Sequence, residues 1–257
     1  MNAYDTLRRY VYERSGISVS EAKGYLIKTR LEPVASDYGV SIDELATQVY
    51  LKPEVGRAVV DAMTTNETSF FRDAALWKLL QEELLREAHT TRQLSVWSAA
   101  CSTGQEAYSL SILAREMGVP VQILGTDVSN TVVDKAREGV YSRLEVNRGL
   151  SAIRLLENFE QRSGDKWQLN EDIRKSCHFS VSNLLEAAGP GRYDLVFLRN
   201  VLIYFDDATR QRVFKNITPS IRPGGCLILG ASEGLLNAPE GFERASRKGV
   251  TVWVRKP

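Results

Sequence analysis

From Gln93 onward the chain alternates between short, continuous apolar runs and polar stretches with helical spacing, and this alternation restricts the fold most strongly. Six runs have the length and composition of buried strands: LSVWSAA, VQILGTDV, HFSVSNLL, YDLVFLRNVLIYF, GGCLILGASEG and VTVWVR. Helices are predicted between most of them, over residues 106–117, 131–138 and 208–221. The pattern predicts an α/β fold, a Rossmann-like, doubly wound, mostly parallel sheet covered on both faces. The last two runs are expected to pair antiparallel.

The first 92 residues differ, because helical spacing dominates them. Residues 1–63 are predicted to form a small all-helical N-terminal domain of four helices. The first ends at Gly16, the second spans residues 20–38, the third begins with a capping-box pattern at Ser41 and Glu44, and the fourth covers about residues 54–63. Residues 64–92 are a linker and a fifth helix (74–88), and residues 93–257 form the α/β domain. Within it, residues 141–175 break the alternation and predict a small inserted subdomain, with a helix near 151–159 and a short strand at 167–169.

Composition excludes several classes of function. The net charge of this 257-residue chain is +1, which gives no general attraction to nucleic acid or to an anionic membrane. No run of about 18 apolar residues and no cleavable signal pattern is present, so we expect a cytoplasmic protein with no direct membrane insertion. Three scattered cysteines and only two histidines, His89 and His178, predict neither a disulfide framework nor a metal site.

The turn after the first apolar run consists almost entirely of small residues, from Ser98 to Gly104. Small side chains allow a ligand to approach the main chain, and Gly104 can adopt a backbone conformation that other residues avoid. Only one glycine of the G-x-G-x-x-G pattern is present, which argues against a dinucleotide pyrophosphate. Glu106 follows in the first turn of the helix, where a carboxylate repels phosphate and favours a positively charged ligand.

Polar residues follow three other predicted strands. Asp127 lies about twenty residues beyond Gly104, the position from which an acidic residue binds the hydroxyls of an adenosine ribose; alternatively, it caps the next helix. Asn183 and Asn200 each offer a donor and an acceptor to a ligand, although asparagine also suits a plain turn.

The linker TTNETSFFRDAALW carries polar residues around a Phe-Phe pair that is expected to be buried. Asn66, Thr68 and Arg72 therefore point to a specific contact, and arginine is a natural partner for a carboxylate.

TNETSFFR, AACSTGQEAYSL, GTDVS, FLRNVLIYFD and RPGGCLILGASEGL together resemble the chemotaxis receptor methyltransferases, the CheR family, across essentially the whole chain. The resemblance implies transfer of a methyl group from S-adenosylmethionine to glutamate side chains on the cytoplasmic helices of chemoreceptors, with S-adenosylhomocysteine as product. The α/β domain is then an S-adenosylmethionine-dependent methyltransferase domain.

The resemblance also implies roles for individual residues. It places Asn66, Thr68, Arg72, Glu106 and Asp127 in the cofactor pocket, and the pairs Asn183–Leu184 and Asn200–Val201 beside the adenosine. Tyr204 would join Arg72 at the methyl-transfer centre, and Lys23, Lys28 and Arg30 would meet the acidic receptor helices. The loop at residues 162–166 is short and has one glycine, so we expect no binding of a receptor tail peptide.

Other interpretations remain open at this stage. A methyltransferase with a different protein acceptor or a small-molecule acceptor would keep every cofactor residue. A catalytically silent regulator that binds the cofactor is the non-enzyme alternative, and an NAD-dependent oxidoreductase fits the fold but lacks the glycine pattern. We expect a monomer, with a possible regulatory adaptor protein as a further partner.

Overall fold

The computed structural model describes residues 2–85, 93–186, 193–233 and 239–257, and it begins with four helices that share an apolar core. They are α1 (Ala3–Ser15), α2 (Tyr25–Asp37), α3 (Ile42–Gln48) and α4 (Pro53–Met63). Asn2 is the N-cap of helix α1, and its side chain accepts the backbone N–H of Asp5. The helix ends because Gly16 adopts φ +75° and donates its own N–H to the carbonyl of Tyr12. The predicted stop at Gly16 is therefore confirmed.

The predictions for the next two helices had different outcomes. The capping box of α3 is confirmed, since Ser41 and Glu44 exchange side-chain and backbone hydrogen bonds. A continuous second helix over residues 20–38 is wrong, because Glu21–Lys23 form a 3-10 turn and α2 begins only at Tyr25. Gly24 lies at the break, where its low helix propensity favours an interruption.

The remaining elements follow in chain order. They are α5 (Ala74–Leu79), a π-helical turn (Leu80–Leu84), β1 (Leu94–Ala99), α6 (Gln105–Glu116), β2 (Val121–Asp127), α7 (Asn130–Glu138), β3 (Val140–Ser142), α8 (Arg143–Asn147), α9 (Ala152–Asn158), β4 (Phe159–Arg162), β5 (Lys166–Leu169), α10 (Glu171–Lys175), β6 (Cys177–Val181), β7 (Tyr193–Leu198), a 3-10 turn (Leu202–Tyr204), α11 (Asp207–Ile217), a 3-10 turn (Thr218–Ser220), β8 (Ile221–Leu229), β9 (Phe242–Arg247) and β10 (Val250–Arg255).

Seven strands form one sheet in the order β6-β2-β1-β7-β8-β10-β9. The first five are mutually parallel, and β10 is antiparallel to both of its neighbours. Alternate residues of β7 enter two different cores: Leu195 and Phe197 pack on the side of α6, and Val196 and Leu198 on the side of α11. The strands read as continuous apolar runs because both faces are buried. The predicted fold class is confirmed, including the antiparallel pairing of the last two runs.

Two predicted elements extend too far, and one strand was not predicted. The long run from Tyr193 is a strand only to Leu198, and the helix predicted over residues 208–221 ends at Ile217. Strand β9 was not predicted, because its sequence FERASR is polar; it lies at the sheet edge, and only Phe242 of its six residues is buried. His89 and the predicted end of the fifth helix at residue 88 lie outside the described residues.

The inserted segment is a small antiparallel sheet of order β3-β5-β4 with α8 and α9 beside it. The predicted helix near residues 151–159 and the strand at 167–169 are both present. In the described parts of the chain, no helix has the length and apolar character needed to cross a bilayer. The same residues contain no group of three or more His, Cys, Asp or Glu that could hold a metal ion.

Candidate active site

A cleft opens where β1, β2, β6 and β7 end and the linker passes over them. About 970 Å³ of space lies between and around its walls, and this volume includes solvent outside the cleft. Its lining includes every residue that the sequence assigned to the cofactor or the methyl-transfer centre: Asn66, Thr68, Arg72, Glu106, Asp127, Asn183, Leu184, Asn200, Val201 and Tyr204. Residues from five segments of the chain thus converge on one cleft.

The small-residue turn after β1 forms the floor of the cleft with an unusual backbone. Ala100 (φ +61°), Ser102 (φ +50°) and Gly104 (φ +89°) all have left-handed conformations. The positive φ of Gly104 favours glycine, and a Cβ there would make a tight contact, 3.0 Å from the Cβ of Ala136. Left-handed non-glycine residues store strain and concentrate at functional sites. The turn therefore exposes backbone where a ligand can reach it.

Asp127 is bound to this turn. Its carboxylate accepts the backbone N–H of Ser102 (2.9 Å) and that of Ser129 (3.1 Å). Burial raises the pKa of Asp127, although those backbone hydrogen bonds act in the opposite direction. The alternative that Asp127 caps helix α7 is wrong, because the side chain of Ser129 is the N-cap. A carboxylate has about four acceptor sites, so Asp127 retains capacity to bind hydroxyl groups.

Glu106 does not present the unshared negative charge that its position suggested. Its carboxylate accepts from the hydroxyl of Ser98 (2.8 Å) and from the guanidinium of Arg199 (2.7 Å). Arg199 is almost fully buried and also pairs with Asp73 on the linker. The argument for a cationic ligand from Glu106 alone is therefore weakened, since Arg199 offsets the charge on which it relied.

Arg199 is a site residue that the sequence interpretation missed. It lines the cleft, and its guanidinium holds the linker to helix α6 by bonding both Asp73 and Glu106. The available signal was an arginine directly after the apolar run of β7, at the same strand end as Asn200. A buried arginine at such a position requires carboxylate partners.

The two asparagines at the strand ends are held by different contacts, Asn183 through its side chain and Asn200 through its backbone. The side chain of Asn183 is already occupied: its amide nitrogen donates to the carbonyl of Arg14 (2.6 Å), and its oxygen accepts the N–H of Leu185 (3.0 Å). Each of its two polar groups thus already has one partner within the protein, and contact of Asn183 with the cofactor stays a prediction. Asn200 has φ +60°, and its backbone N–H donates to the carboxylate of Glu233 (2.7 Å).

Glu233 is a second missed residue. Its carboxylate is buried and accepts the backbone N–H groups of Asn200, Leu202 and Gly230. A Cβ on Gly230 would lie 2.6 Å from that carboxylate, so glycine is needed for the approach. The three bonds fix the turn that carries Asn200 and Tyr204 into the cleft.

The linker residues are placed by a contact with the α/β domain and by contacts within residues 64–92. The hydroxyl of Ser102 donates to the carbonyl of Asn66 (3.2 Å), and the guanidinium of Arg72 donates to the carbonyl of Glu67 (3.1 Å). The backbone carbonyl of Arg72 accepts the indole N–H of Trp77 (2.8 Å). These contacts direct the Arg72 side chain along the cleft, which Tyr204 also lines.

The three basic residues predicted to contact a protein substrate have different environments. Arg30 donates to the carbonyls of Met63 (2.8 Å) and Thr64 (3.0 Å), so its guanidinium holds the linker. Contact of Arg30 with a protein substrate stays a prediction. Lys28 lies 3.8 Å from Glu32 with a largely exposed side chain, and Lys23 ends the 3-10 turn on the surface.

The thiols of the chain are not available for chemistry at this cleft. Cys101, Cys177 and Cys226 are all buried. Burial raises the pKa of Cys101, and raises that of Cys177 to about 12, which disfavours the reactive thiolate.

Comparisons with known proteins match both the N-terminal helices and the α/β domain. Residues 2–64 match the family description "CheR methyltransferase, all-alpha domain", and residues 66–250 match "CheR methyltransferase, SAM binding domain". The chain is 37% identical over 254 residues to chemotaxis protein methyltransferase 1 of Pseudomonas aeruginosa, covering 93% of both chains. It is 36% identical to chemotaxis protein methyltransferase Cher2 of Pseudomonas putida, again covering 93% of both. Chemotaxis protein methyltransferase of Vibrio anguillarum is 36% identical and covers 93% of this chain and 92% of its own.

Proposed function

The chain belongs to the CheR methyltransferase family, and from that premise we propose that it esterifies glutamate side chains on the cytoplasmic helices of chemoreceptors. S-adenosylmethionine is its cofactor, since residues 66–250 match the S-adenosylmethionine-binding domain of the family. The observation that carries the proposal is the convergence of all ten assigned residues on one cleft.

The residues of the cleft fit this cofactor. Asp127 has unused acceptor sites for the two ribose hydroxyls, and the small-residue turn leaves room beside the main chain for the methionine part. Apolar side chains of Leu184 and Val201 line the cleft and suit a nucleobase. When bound, the cofactor supplies a methyl group on a positively charged sulfur, which is activated for attack by a nucleophile.

For methyl transfer to a glutamate carboxylate, the main task of the protein is to orient the two reactants. A glutamate side chain has a pKa of about 4.3, so it is already ionised at neutral pH and needs no general base. Holding two reactants in line can remove roughly 7–11 kcal/mol of a barrier. We assign this positioning to Arg72 and Tyr204, which share the cleft. Strong neutralisation of the acceptor would lower its nucleophilicity, so Arg72 orients the carboxylate instead of activating it.

The protein acceptor is proposed to lie against the N-terminal domain. Lys23 and Lys28 remain available to acidic helices, whereas Arg30 is committed to the linker. We further propose a cytoplasmic monomer whose activity an adaptor protein can regulate. Light scattering of the purified protein tests the oligomeric state.

The experiment that tests the acceptor uses S-adenosylmethionine labelled on its methyl group and a purified cytoplasmic chemoreceptor fragment. Label that mild alkali releases as volatile methanol identifies a carboxyl methyl ester and supports the proposal. Alkali-stable label identifies nitrogen methylation and contradicts it. If the receptor fragment carries no label but calorimetry still shows that S-adenosylhomocysteine binds, the proposed acceptor is contradicted. The proposed cofactor site is then still supported.

A further inference from the structure

The segment where helix α1 ends, residues 14–18, reaches across from the N-terminal domain to the cofactor cleft, and we call it the α1 hook. Ser15 and Ile17 line the cleft together with Leu184 and Tyr204. Ile17 is half-buried and packs against the apolar core of the N-terminal domain and against that of the α/β domain. The cleft therefore has a wall that belongs to neither the sheet nor the linker.

Three hydrogen bonds attach the end of α1 to the strand-end loops of the α/β domain. Asn183 donates its side-chain amide to the carbonyl of Arg14 (2.6 Å), and the backbone N–H of Ser18 donates to the carbonyl of Tyr204 (2.9 Å). The hydroxyl of Tyr12 donates to the carboxylate of Asp206 (2.9 Å). The hook thus contacts the loop after β6, which carries Asn183, and the loop after β7, which carries Tyr204.

Gly16 allows the hook to sit so closely. Its φ of +75° lies in the left-handed region, and a Cβ there would lie 2.7 Å from a methyl carbon of Thr209 and 3.1 Å from one of Leu185. Both the backbone conformation and the available space require glycine. The same residue ends helix α1, so the helix terminates where the chain must pass over the α/β domain.

We infer that the α1 hook is a wall of the cofactor site, with Ile17 contacting the nucleoside end, and that Asn183 is a positioning residue that holds the hook in place. Each polar group of the Asn183 side chain already bonds within the protein, one of them to the hook, and we assign the effect of Asn183 on the cofactor to that bond. Leu184 and Val201 supply the apolar surface around Ile17 that a flat nucleobase would cover. The inference concerns cofactor binding alone and stands or falls independently of the methyl acceptor.

The test compares Ile17→Ala, Asn183→Asp and the double variant in the full-length protein, with S-adenosylhomocysteine as the calorimetric probe. Asn183→Asp keeps the acceptor for Leu185 but places a carboxylate oxygen against the carbonyl of Arg14. We expect each single variant to raise the Kd about fivefold to tenfold, since one lost hydrogen bond or apolar contact of about 1 kcal/mol corresponds to roughly that factor. The rise in Kd of the double variant should be smaller than the product of the two single rises, because both changes act on one element.

Two exposed positions provide matched controls. Ile153→Ala and Asn147→Asp make the same chemical changes on α9 and α8. Both should leave the Kd within twofold of the wild-type value. Thermal midpoints identify a variant that fails to fold, in which case the conservative Ile17→Val, with a smaller but measurable rise in Kd, replaces it.

Hydrogen exchange separates a cofactor wall from a purely structural tie between domains. S-adenosylhomocysteine should slow amide exchange in residues 14–18 of the wild-type protein, and Asn183→Asp should abolish that slowing while exchange in α3 is unchanged. A Kd for Ile17→Ala within twofold of wild type, or unchanged exchange in the hook when the ligand binds, overturns the inference.

Discussion

Replacing Arg199 by methionine should destabilise the methyltransferase domain far more than the same change at an exposed ion pair. The Arg199 side chain is 3% exposed and bonds the carboxylates of Glu106 and Asp73. Methionine keeps an unbranched apolar stem of similar length but removes the charge and every donor. The change leaves Glu106, itself only 14% exposed, as a buried carboxylate without its cation.

The expected magnitude follows from the burial of the partners. Removing one member of a buried ion pair costs about 3–5 kcal/mol, because the remaining charge lacks compensation. The lower end applies here, since Ser98 still donates to Glu106 and Asp73 is 39% exposed and can be hydrated. A loss of about 3 kcal/mol lowers the thermal midpoint of a domain of this size by roughly 6–12 °C.

The control is Arg115→Met, where the ion pair with Asp172 has a similar distance (2.9 Å) but side chains that are 38% and 58% exposed. An exposed pair contributes about 1 kcal/mol or less. Thermal unfolding followed by tryptophan fluorescence is a suitable assay, because Trp77, Trp97, Trp167 and Trp253 all lie outside the N-terminal domain.

A double-mutant cycle with Glu106→Gln then tests whether loss of the Arg199–Glu106 ion pair causes the destabilisation. Once Glu106 is neutral, Arg199→Met should cost roughly 1–3 kcal/mol less than in the wild-type background, the coupling expected for residues in one network. Equal midpoints for Arg199→Met and Arg115→Met, or a cycle with no coupling, would refute the argument from the buried pair.

Four further outcomes are expected. Lowering the pH from 7.5 to 5 should raise the Kd for S-adenosylhomocysteine, because burial raises the pKa of Asp127 and protonation removes an acceptor for the ribose; a pH dependence that survives in Asp127→Asn contradicts this. Arg72→Ala should lower kcat about 100-fold through lost orientation, and near-normal turnover would rule out that role. Lys28→Glu should reduce receptor methylation without changing cofactor affinity, whereas Lys52→Glu should not; equal rates for the two variants would remove Lys28 from the contact. Because all three thiols are buried, a thiol reagent should react slowly with the native protein and rapidly after unfolding, and fast native reaction would disprove that burial.

Much of the fold is predictable because its signals are local. Gly16 ends α1, the Ser41–Glu44 capping box begins α3, and the apolar runs mark the strands, since each signal involves residues only a few positions apart. Strand β9 was missed because five of its six residues are at least partly exposed at the sheet edge, so its sequence lacks an apolar run. Convergence of strand-end residues on one cleft also follows from sequence, because a parallel sheet brings those ends to one edge.

The tertiary structure alone decides which polar groups remain available to a ligand. Glu106 meets Arg199, Asn183 meets the carbonyl of Arg14, and Arg30 meets the carbonyl of Met63, over separations of 93, 169 and 33 residues. Nothing in the neighbouring sequence encodes such pairs, because they depend on how strand ends, linker and helices approach each other in space. A side chain's chemistry can be read from the sequence, but whether that chemistry is already satisfied within the protein depends on contacts that exist only after folding.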